Sequence, residues 1–169
     1  MSETDKCVMD AFTGESKARN KYTFYAELAE KQGRPRIAAL FKAAAQAEEI
    51  HARRLFNIML KGKTLEDCLQ DAIDGETYEY TDMYPTFKAK AEAEGRKSEA
   101  AIFANTAPVE ECHSQRYKAA LEELKKGVDL GDTGLKVFLC PICGYIEIGT
   151  DPQQCPVCKA PASKMIEVN

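Results

Sequence analysis

Residues 48–54 read Glu-Glu-Ile-His-Ala-Arg-Arg, and residues 110–116 read Glu-Glu-Cys-His-Ser-Gln-Arg. The second stretch repeats the first, and Ala-Ala-Ile-Phe at 100–103 repeats Ala-Ala-Leu-Phe at 38–41 with the same separation along the chain. A repeat of this length means that one helix pair occurs twice in the chain. We therefore predict a bundle of two similar helix hairpins, related by a pseudo-twofold axis, in which each hairpin offers the same groups to the interior.

Helical periodicity covers most of the sequence before Gly127 and is divided by glycines into four segments. The predicted segments run from about 4 to 31, 35 to 61, 64 to 95 and 98 to 126. Thr64 is a plausible N-cap because Asp67 follows three residues later. The sequence thus predicts an all-α four-helix bundle over residues 1–130.

Two prolines interrupt this helical pattern, Pro85 in the third segment and Pro108 in the fourth. Each removes a backbone donor and crowds the residue four positions earlier, so each is expected to produce a kink or a local bulge. Pro108 lies two residues before Glu110, and its kink could help to aim that side chain. Simple tolerance of a proline in a long packed helix is the equal alternative.

Each repeated stretch contains a Glu-x-x-His motif. Glu48 and His51 are three residues apart, so both side chains can point to one place from a helix, and Glu110 and His113 repeat the arrangement. A single motif of this kind is more often a pair of solvated residues. Here the chain has two histidines, and both fall at equivalent points of the repeat. This coincidence favours a metal site.

The other helix of each predicted hairpin contributes a carboxylate, Glu15 in the first and Glu76 in the second. The sum of four carboxylates and two imidazoles is the ligand set expected of ferritin-like di-metal bundles, and it suits iron or manganese. Glu79 breaks the symmetry, because its counterpart in the first hairpin is Ala18. A fifth carboxylate would give one metal a choice of ligand when its charge changes.

The C-terminal segment contains two Cys-x-x-Cys motifs, one at 140–143 and the other at 155–158. The four cysteines are Cys140, Cys143, Cys155 and Cys158. Four thiolates at this spacing predict a closed tetrahedral site for zinc or a single iron. Strand-like pieces surround them, so we predict a small β-rich metal module over residues 136–169, joined to the bundle by a glycine-containing linker at 127–136.

Three further cysteines are scattered through helical sequence, Cys7, Cys68 and Cys112. An odd total of seven argues against a disulfide framework, and we expect these three to be buried or half-buried thiols of a reduced protein. Cys112 lies beside a proposed ligand, but a redox role would need an exposed thiol with a lowered pKa.

Composition excludes several classes of function. The net charge is −4, with no basic run, which makes nucleic acid an improbable partner. No apolar stretch approaches the length of a membrane span, and the first residues lack the layout of a secretory signal. These features predict a cytoplasmic protein with no membrane partner.

With both halves considered together, the chain resembles the rubrerythrin family over essentially its whole length. Members of this family have a ferritin-like domain followed by a rubredoxin-like domain. The matching segments are residues 14–22, 48–54, 75–85, 110–113 and 140–145. The last of these looks like rubredoxin and favours iron in the four-cysteine site, with zinc as a possible substitute. Pro85 belongs to the family pattern, whereas Pro108 departs from it.

The resemblance implies a set of di-iron ligands, which are Glu15, Glu48, Glu76, Glu79, Glu110 and His113. It further implies that His51 and Glu79 exchange as ligands of one iron when the oxidation state changes. Tyr22 and Tyr84 match tyrosines that lie beside the iron centre in the family. Ordinary packing of these tyrosines in a bundle core is the alternative.

The function that the resemblance implies is reduction of hydrogen peroxide to water, as protection against oxidative stress. This reaction needs two electrons, and two ferrous ions supply one each. The four-cysteine iron, a one-electron carrier, would then re-reduce the pair. The enzyme is expected to be linked to NADH through an external electron donor, such as rubredoxin or an NADH-dependent reductase.

The short linker makes delivery of electrons within one chain doubtful. In the family, a head-to-tail dimer brings the cysteine module of one chain near the di-iron site of the other, so we expect a homodimer or a larger homo-oligomer. The main alternative is a ferritin-like iron oxidase or storage protein, which has no need of a fused electron carrier. An adaptor held by structural zinc would leave the glutamates unexplained.

Overall fold

The computed structural model describes residues 2–129, 134–150 and 152–168. The chain divides into two compact units, Met1–Lys63 and Thr64–Asn169. Part of the linker predicted at 127–136 lies outside the described residues. The domain bounds 1–130 and 136–169 therefore stay predictions.

The first unit is a hairpin of two long helices, α1 (Glu3–Lys31) and α2 (Pro35–Met59). Ser2 caps α1 through a capping box, and the turn between the helices contains Gly33 at φ +67°, a conformation that glycine adopts without strain. Small side chains are buried along the seam where the helices meet, and they are Ala26, Ala29, Ala38, Ala45 and Ala52. Both helices thus begin and end close to their predicted positions.

The third predicted segment is three elements in the structure, α3 (Leu65–Tyr78), a π-helical turn (Glu79–Met83) and α4 (Tyr84–Ala93). The predicted N-cap is confirmed, because Thr64 and Asp67 form a capping box. The backbone N–H of Tyr84 donates to the carbonyl of Glu79, five residues earlier. The π-helical turn is the bulge expected at Pro85, whose missing N–H ends the regular α-helical ladder.

Helix α5 (Lys97–Lys125) continues through Pro108 without interruption. The helix is therefore not broken at this proline, and the effect of a kink there on the direction of Glu110 stays a prediction. Helices α3 and α4 pack on α5, with Ala100, Val109 and Leu121 among its buried residues. The fully buried Ser114 hydroxyl lies 3.0 Å from the Thr77 hydroxyl on α3 and fixes the two helices at this level.

Among the described residues, the cysteine module contains the strands β1 (Lys136–Leu139), β2 (Ile146–Gly149) and β3 (Ile166–Val168). They form an antiparallel sheet in the order β2-β1-β3. The first two strands were predicted, whereas β3 was not. Leu139 pairs with Ile146 on one side and with Ile166 on the other. Among the helices of the described residues, none is long and apolar enough to cross a membrane.

Candidate metal centres

The first hairpin brings together Glu15 from α1 with Glu48 and His51 from α2, and their ligand atoms all lie within 4.8 Å of one another. His51 Nδ1 is 2.8 Å from Glu48 Oε2 and 3.7 Å from Glu15 Oε2. The three-residue spacing on α2 and the alanine seam between the helices produce this cluster. The sequence predicted all three residues, and the structure joins them.

The second unit contains the equivalent cluster, formed by Glu76 from α3 with Glu110 and His113 from α5. His113 Nδ1 is 2.8 Å from Glu110 Oε2 and 3.7 Å from Glu76 Oε1, the same distances as in the first hairpin. The repeat in sequence is therefore a repeat in geometry. Each unit presents half of the ligand set that the sequence predicted.

The two histidines differ in their surroundings. The His51 side chain is 50% exposed, whereas the His113 side chain is 15% exposed. His113 Nε2 lies 2.9 Å from the carbonyl oxygen of Gly144 in the cysteine module. His113 is consequently held at both ring nitrogens.

The contact with Gly144 also bears on whether a cation fits this site. A carbonyl only accepts hydrogen bonds, so Nε2 of His113 donates and carries a proton. In neutral imidazole, Nδ1 then has a lone pair directed toward the carboxylate of Glu110. Two acceptors 2.8 Å apart require a proton or a metal ion between or beside them. Metal-bound histidines commonly donate their other nitrogen to a carbonyl in this way, so the residues fit a metal ion.

The carboxylates of the second unit are crowded. Burial, followed by the charge of Glu110, raises the pKa of Glu76. Burial and the charge of Glu76 likewise raise the pKa of Glu79, which opens the π-helical turn. Burial raises the pKa of Glu110, although His113 opposes this. Partly buried carboxylates that repel one another in this way would be stabilised by cations.

Glu79 is the one predicted bundle ligand outside the two three-residue clusters of the described residues. Its pKa nevertheless responds to both Glu76 and His113, so it lies within electrostatic reach of the second cluster. Its assignment as an iron ligand stays a prediction.

The tyrosines fall into two environments. Burial, and then the charges of Glu110, Glu79 and Glu76, raise the pKa of Tyr84, so this phenol lies near the second cluster. Tyr22 instead packs against Tyr25 and Phe41, with ring centroids 6.3 and 6.1 Å away.

One further tyrosine near the second cluster was not anticipated. Burial and the charges of Glu76 and Glu110 raise the pKa of Tyr117. Its position four residues after His113, on the same helical face, was the available signal.

The four predicted cysteines form a single cluster, with all ligand atoms within 4.8 Å of one another. Cys140 Sγ lies 3.6 Å from Cys158 Sγ, and Cys143 Sγ lies 3.6 Å from Cys155 Sγ. A tetrahedral site with metal–sulfur bonds of about 2.3 Å has sulfur–sulfur edges of about 3.8 Å. The observed spacing therefore fits one tetrahedral metal ion.

Two similar turns hold these thiols. In the first, the Cys140 N–H donates to the Tyr145 carbonyl and the Gly144 N–H donates to the Cys140 carbonyl. Cys155, Lys159 and Ala160 repeat both bonds in the second turn. Gly144 has φ +85° and Lys159 has φ +62°, so both turns close through a left-handed residue.

Backbone amides also point at the sulfur atoms. Burial acts to raise the pKa of Cys140, but the N–H groups of Cys143 and Ile142 lower it to about 7. An amide-stabilised thiolate among three other sulfurs is a suitable ligand for a cation.

The cysteine module packs against α5 of its own chain. Arg116 contacts the module at three points, donating to the Ile146 carbonyl at 3.4 Å, the Tyr145 hydroxyl at 3.2 Å and the Glu147 carboxylate at 3.1 Å. The Tyr145 hydroxyl donates in turn to Glu147. Together with the contact between His113 and Gly144, these bonds hold the module against the helix that carries the second cluster.

The remaining cysteines are partly as predicted. Cys112 is half-buried, its Sγ lies 3.6 Å from the Ile146 carbonyl, and burial raises the pKa of its thiol. This is the environment of a structural cysteine. Cys68 is also half-buried, but Cys7 is exposed, contrary to expectation.

Carboxylate–imidazole clusters on paired helices, followed by a four-thiolate module, define a ferritin-like protein with candidate di-iron ligands and a rubredoxin-like domain. A family model described as Rubrerythrin matches residues 6–121, and one described as the rubredoxin-like domain of rubrerythrin matches residues 138–165. The chain belongs to the rubrerythrin family.

Similar proteins agree with this assignment. Rubrerythrin-1 of Clostridium acetobutylicum is 38% identical, with 95% of this chain and 91% of that protein covered. Rubrerythrin of Porphyromonas gingivalis is 38% identical, with coverages of 95% and 87%. The structure of fully reduced, all-ferrous nigerythrin is similar at a TM-score of 0.57 and 32% identity, with 99% of this chain and 88% of that chain covered. Mixed-valence nigerythrin matches equally well, at a TM-score of 0.57 and 33% identity over the same shares of the two chains.

Proposed function

We propose that this protein is a non-haem di-iron peroxidase that reduces hydrogen peroxide to water and recovers the electrons through its four-cysteine module. Reduction of one peroxide to two waters consumes two electrons and two protons. Irons held by glutamate and histidine would supply both electrons, and a thiolate-bound iron would replace them one at a time. The observation that carries this proposal is the double contact of His113, with Glu110 through Nδ1 and with Gly144 through Nε2.

In this proposal the ligands of both hairpins converge on one pair of irons. The ligands are Glu15, Glu48, His51, Glu76, Glu79, Glu110 and His113, while Cys140, Cys143, Cys155 and Cys158 hold the third iron. Zinc could replace the third iron without loss of geometry but would carry no electron. The equal distances in the two half-sites support a symmetric pair.

We further propose that His51 and Glu79 exchange as ligands when the oxidation state changes. Two features of the chain support this exchange. His51 is half exposed, whereas His113 is held at both nitrogens, so His51 is the imidazole that can move. Glu79 begins a π-helical turn, an irregularity that is frequent at functional sites.

Two tyrosines are proposed to assist the reaction by donating hydrogen bonds from their hydroxyl groups. Tyr84 is the stronger candidate, because burial and then the nearby glutamate charges raise the pKa of its phenol and keep it protonated. Tyr22 packs among aromatic rings, and its catalytic role rests on the family resemblance.

Electrons are proposed to derive from NADH and to enter through an external carrier, either rubredoxin or an NADH-dependent reductase. The exposed Cys158 and the 63% exposed Ile142 mark an accessible edge of the cysteine module for such a carrier. A one-electron carrier docked there would face the thiolates directly.

Peroxide consumption and iron content together test the proposed function. With reduced rubredoxin as donor, the protein should consume many equivalents of peroxide while its iron stays at three per chain, two in the bundle and one in the module. A storage protein would instead take up further iron and show no turnover. Glu110→Ala should abolish turnover, and Glu111→Ala, a change at the exposed neighbouring glutamate, is the matched control.

A further inference from the structure

The face of α2 that carries the metal ligands is apolar and exposed. Ile37 and Leu40 lie about four and three helical turns before His51, and Ile58 lies about two turns after it, so all three share its helical face. They are 50%, 68% and 59% exposed, respectively. Apolar side chains of this size on one face indicate a surface that another element covers.

The second unit presents a similar face. Leu65 lies about three helical turns before Glu76 on α3 and is 63% exposed. Ile102 lies about three turns before His113 on α5 and is 61% exposed. Leu40 and Ile102 are equivalent in the repeat. Two like faces, each carrying half of a ligand set, are suited to cover each other and to complete one metal site.

The connection between α2 and α3 limits how this can happen. Helix α2 ends at Met59 and α3 begins at Leu65, so residues 60–64 span at most about 22 Å. In a ferritin-like bundle the second and third helices are parallel, so the third helix begins at the end of the bundle opposite to the one where the second helix ends. The chain therefore needs one long crossover along the bundle between its two hairpins. A five-residue connection is short for a crossover of this kind.

The required length follows from the positions of the ligands. At the rise of an α-helix, His51 lies about 12 Å before the end of α2, and Glu76 lies about 16 Å after the start of α3. If His51 and Glu76 of one chain lie at the same height along the bundle, the connection must run about 28 Å parallel to the helix axes. It must also cover the distance of about 10 Å between the two axes. The distance of about 30 Å exceeds the reach of residues 60–64.

We infer that a second copy of this chain completes each bundle, its hairpin α1–α2 packing on α3–α5 of the first copy. Each di-metal site then takes Glu15, Glu48 and His51 from one copy and the remaining bundle ligands from the other. A symmetric pair forms two such sites, and no chain makes the crossover. The inference rests on the proposed joining of the half-sites, but it does not depend on peroxide being the substrate.

Two complementary double variants test this exchange of hairpins between two chains. Glu15→Ala with Glu48→Ala disables the first half-site, and Glu76→Ala with Glu110→Ala disables the second. Full-length chains of both kinds, carrying different tags, are co-expressed, and the dual-tagged dimer is isolated. Each variant alone should keep its thiolate iron and lose the paired irons.

The mixed dimer distinguishes the two arrangements. Exchange places both intact half-sites in one bundle, so the dimer should regain one paired site, half of the wild-type content. If a folded mixed dimer binds no pair of irons in its bundles, the inference is overturned. If the paired iron returns but no peroxide is consumed, the proposed function fails while the exchange of hairpins stands.

The length of the connection gives a second measurement that is independent of metal. Inserting about 15 flexible glycine and serine residues between Lys61 and Gly62 lets one chain span the distance. Light scattering should then show conversion of the wild-type dimer to a monomer. The same insertion between Gly127 and Val128 is the control and should leave the dimer intact. A wild-type monomer with a complete paired site would contradict the inference.

Discussion

The guanidinium of Arg116 on α5 donates to the Glu147 carboxylate on strand β2 at 3.1 Å, and so ties the second carboxylate cluster to the cysteine module. Arg116 lies three residues after His113, whose Nε2 contacts Gly144. The two contacts lie along one side of α5. Arg116 is therefore a positioning residue for the contact through which electrons are proposed to pass.

Replacing Arg116 with glutamine should loosen this junction. Loss of a charge-assisted hydrogen-bond network costs about 1–3 kcal/mol, so the free energy of unfolding should fall by that amount. Oxidation of the thiolate iron by peroxide should also slow in fully reduced protein, since His113 is held less well. Arg54→Gln changes the equivalent residue of the first hairpin and is the control. Equal oxidation rates in the two variants would refute the positioning role.

The hydrogen bond between the buried Ser114 and the half-buried Thr77 predicts a measurable coupling between the two residues. Ser114→Ala should lower the free energy of unfolding by about 1 kcal/mol, because the Thr77 hydroxyl loses its buried partner. Adding Thr77→Val should recover part of the loss, because neither hydroxyl is then left unpaired. Urea unfolding of the four proteins gives the coupling energy. Strictly additive losses would show that the hydrogen bond contributes nothing.

Replacing Glu79 should change the reduction potential of the iron pair. A ferric pair carries two more positive charges than a ferrous pair and gains more from an anionic ligand. Glu79→Ala should therefore raise the reduction potential of the pair, slow peroxide turnover and leave ferrous binding largely intact. Asp82→Ala removes an exposed acid from the same π-helical turn and serves as the control. Crystals in both oxidation states in which Glu79 stays clear of iron would exclude the exchange with His51.

Replacing Cys155 tests whether the two metal centres react independently of each other. Cys155→Ser breaks the thiolate site from its second turn, away from Gly144. The oxidised variant should lose the red colour of ferric thiolate, and it should lose electron delivery from an external donor. A pre-reduced variant should still consume one equivalent of peroxide. Cys68→Ser, a change at a half-buried cysteine outside the module, should keep both properties. If the bundle fails to react with peroxide in Cys155→Ser but reacts in Cys68→Ser, the two centres do not act independently.

Local signals in the sequence predicted most of the fold. The capping box at Thr64 and the left-handed glycines at 33 and 95 gave helix ends within about two residues of those observed. The repeat predicted both carboxylate–imidazole clusters because residues three apart on a helix must share a face. The spacing of the cysteines similarly predicted one cluster.

The remaining features depend on contacts between distant segments. The bond between His113 and Gly144 joins residues 31 positions apart, and no periodicity in the sequence records it. Arg116 was noticed only as the repeat partner of Arg54, since its three contacts in the module depend on how that module docks. The short strand β3 pairs with β1, and its three residues, Ile-Glu-Val, are too few to predict a strand from their alternation alone.

Rapid mixing of fully reduced protein with one equivalent of peroxide tests the central claim most directly. The bundle irons should be oxidised first, and the red colour of ferric thiolate should follow as the module returns an electron. The contact of His113 with Gly144 predicts that this second phase has a rate independent of protein and peroxide concentration. A colour that never develops, or one whose rate rises in proportion to either concentration, would contradict electron return through the cysteine module.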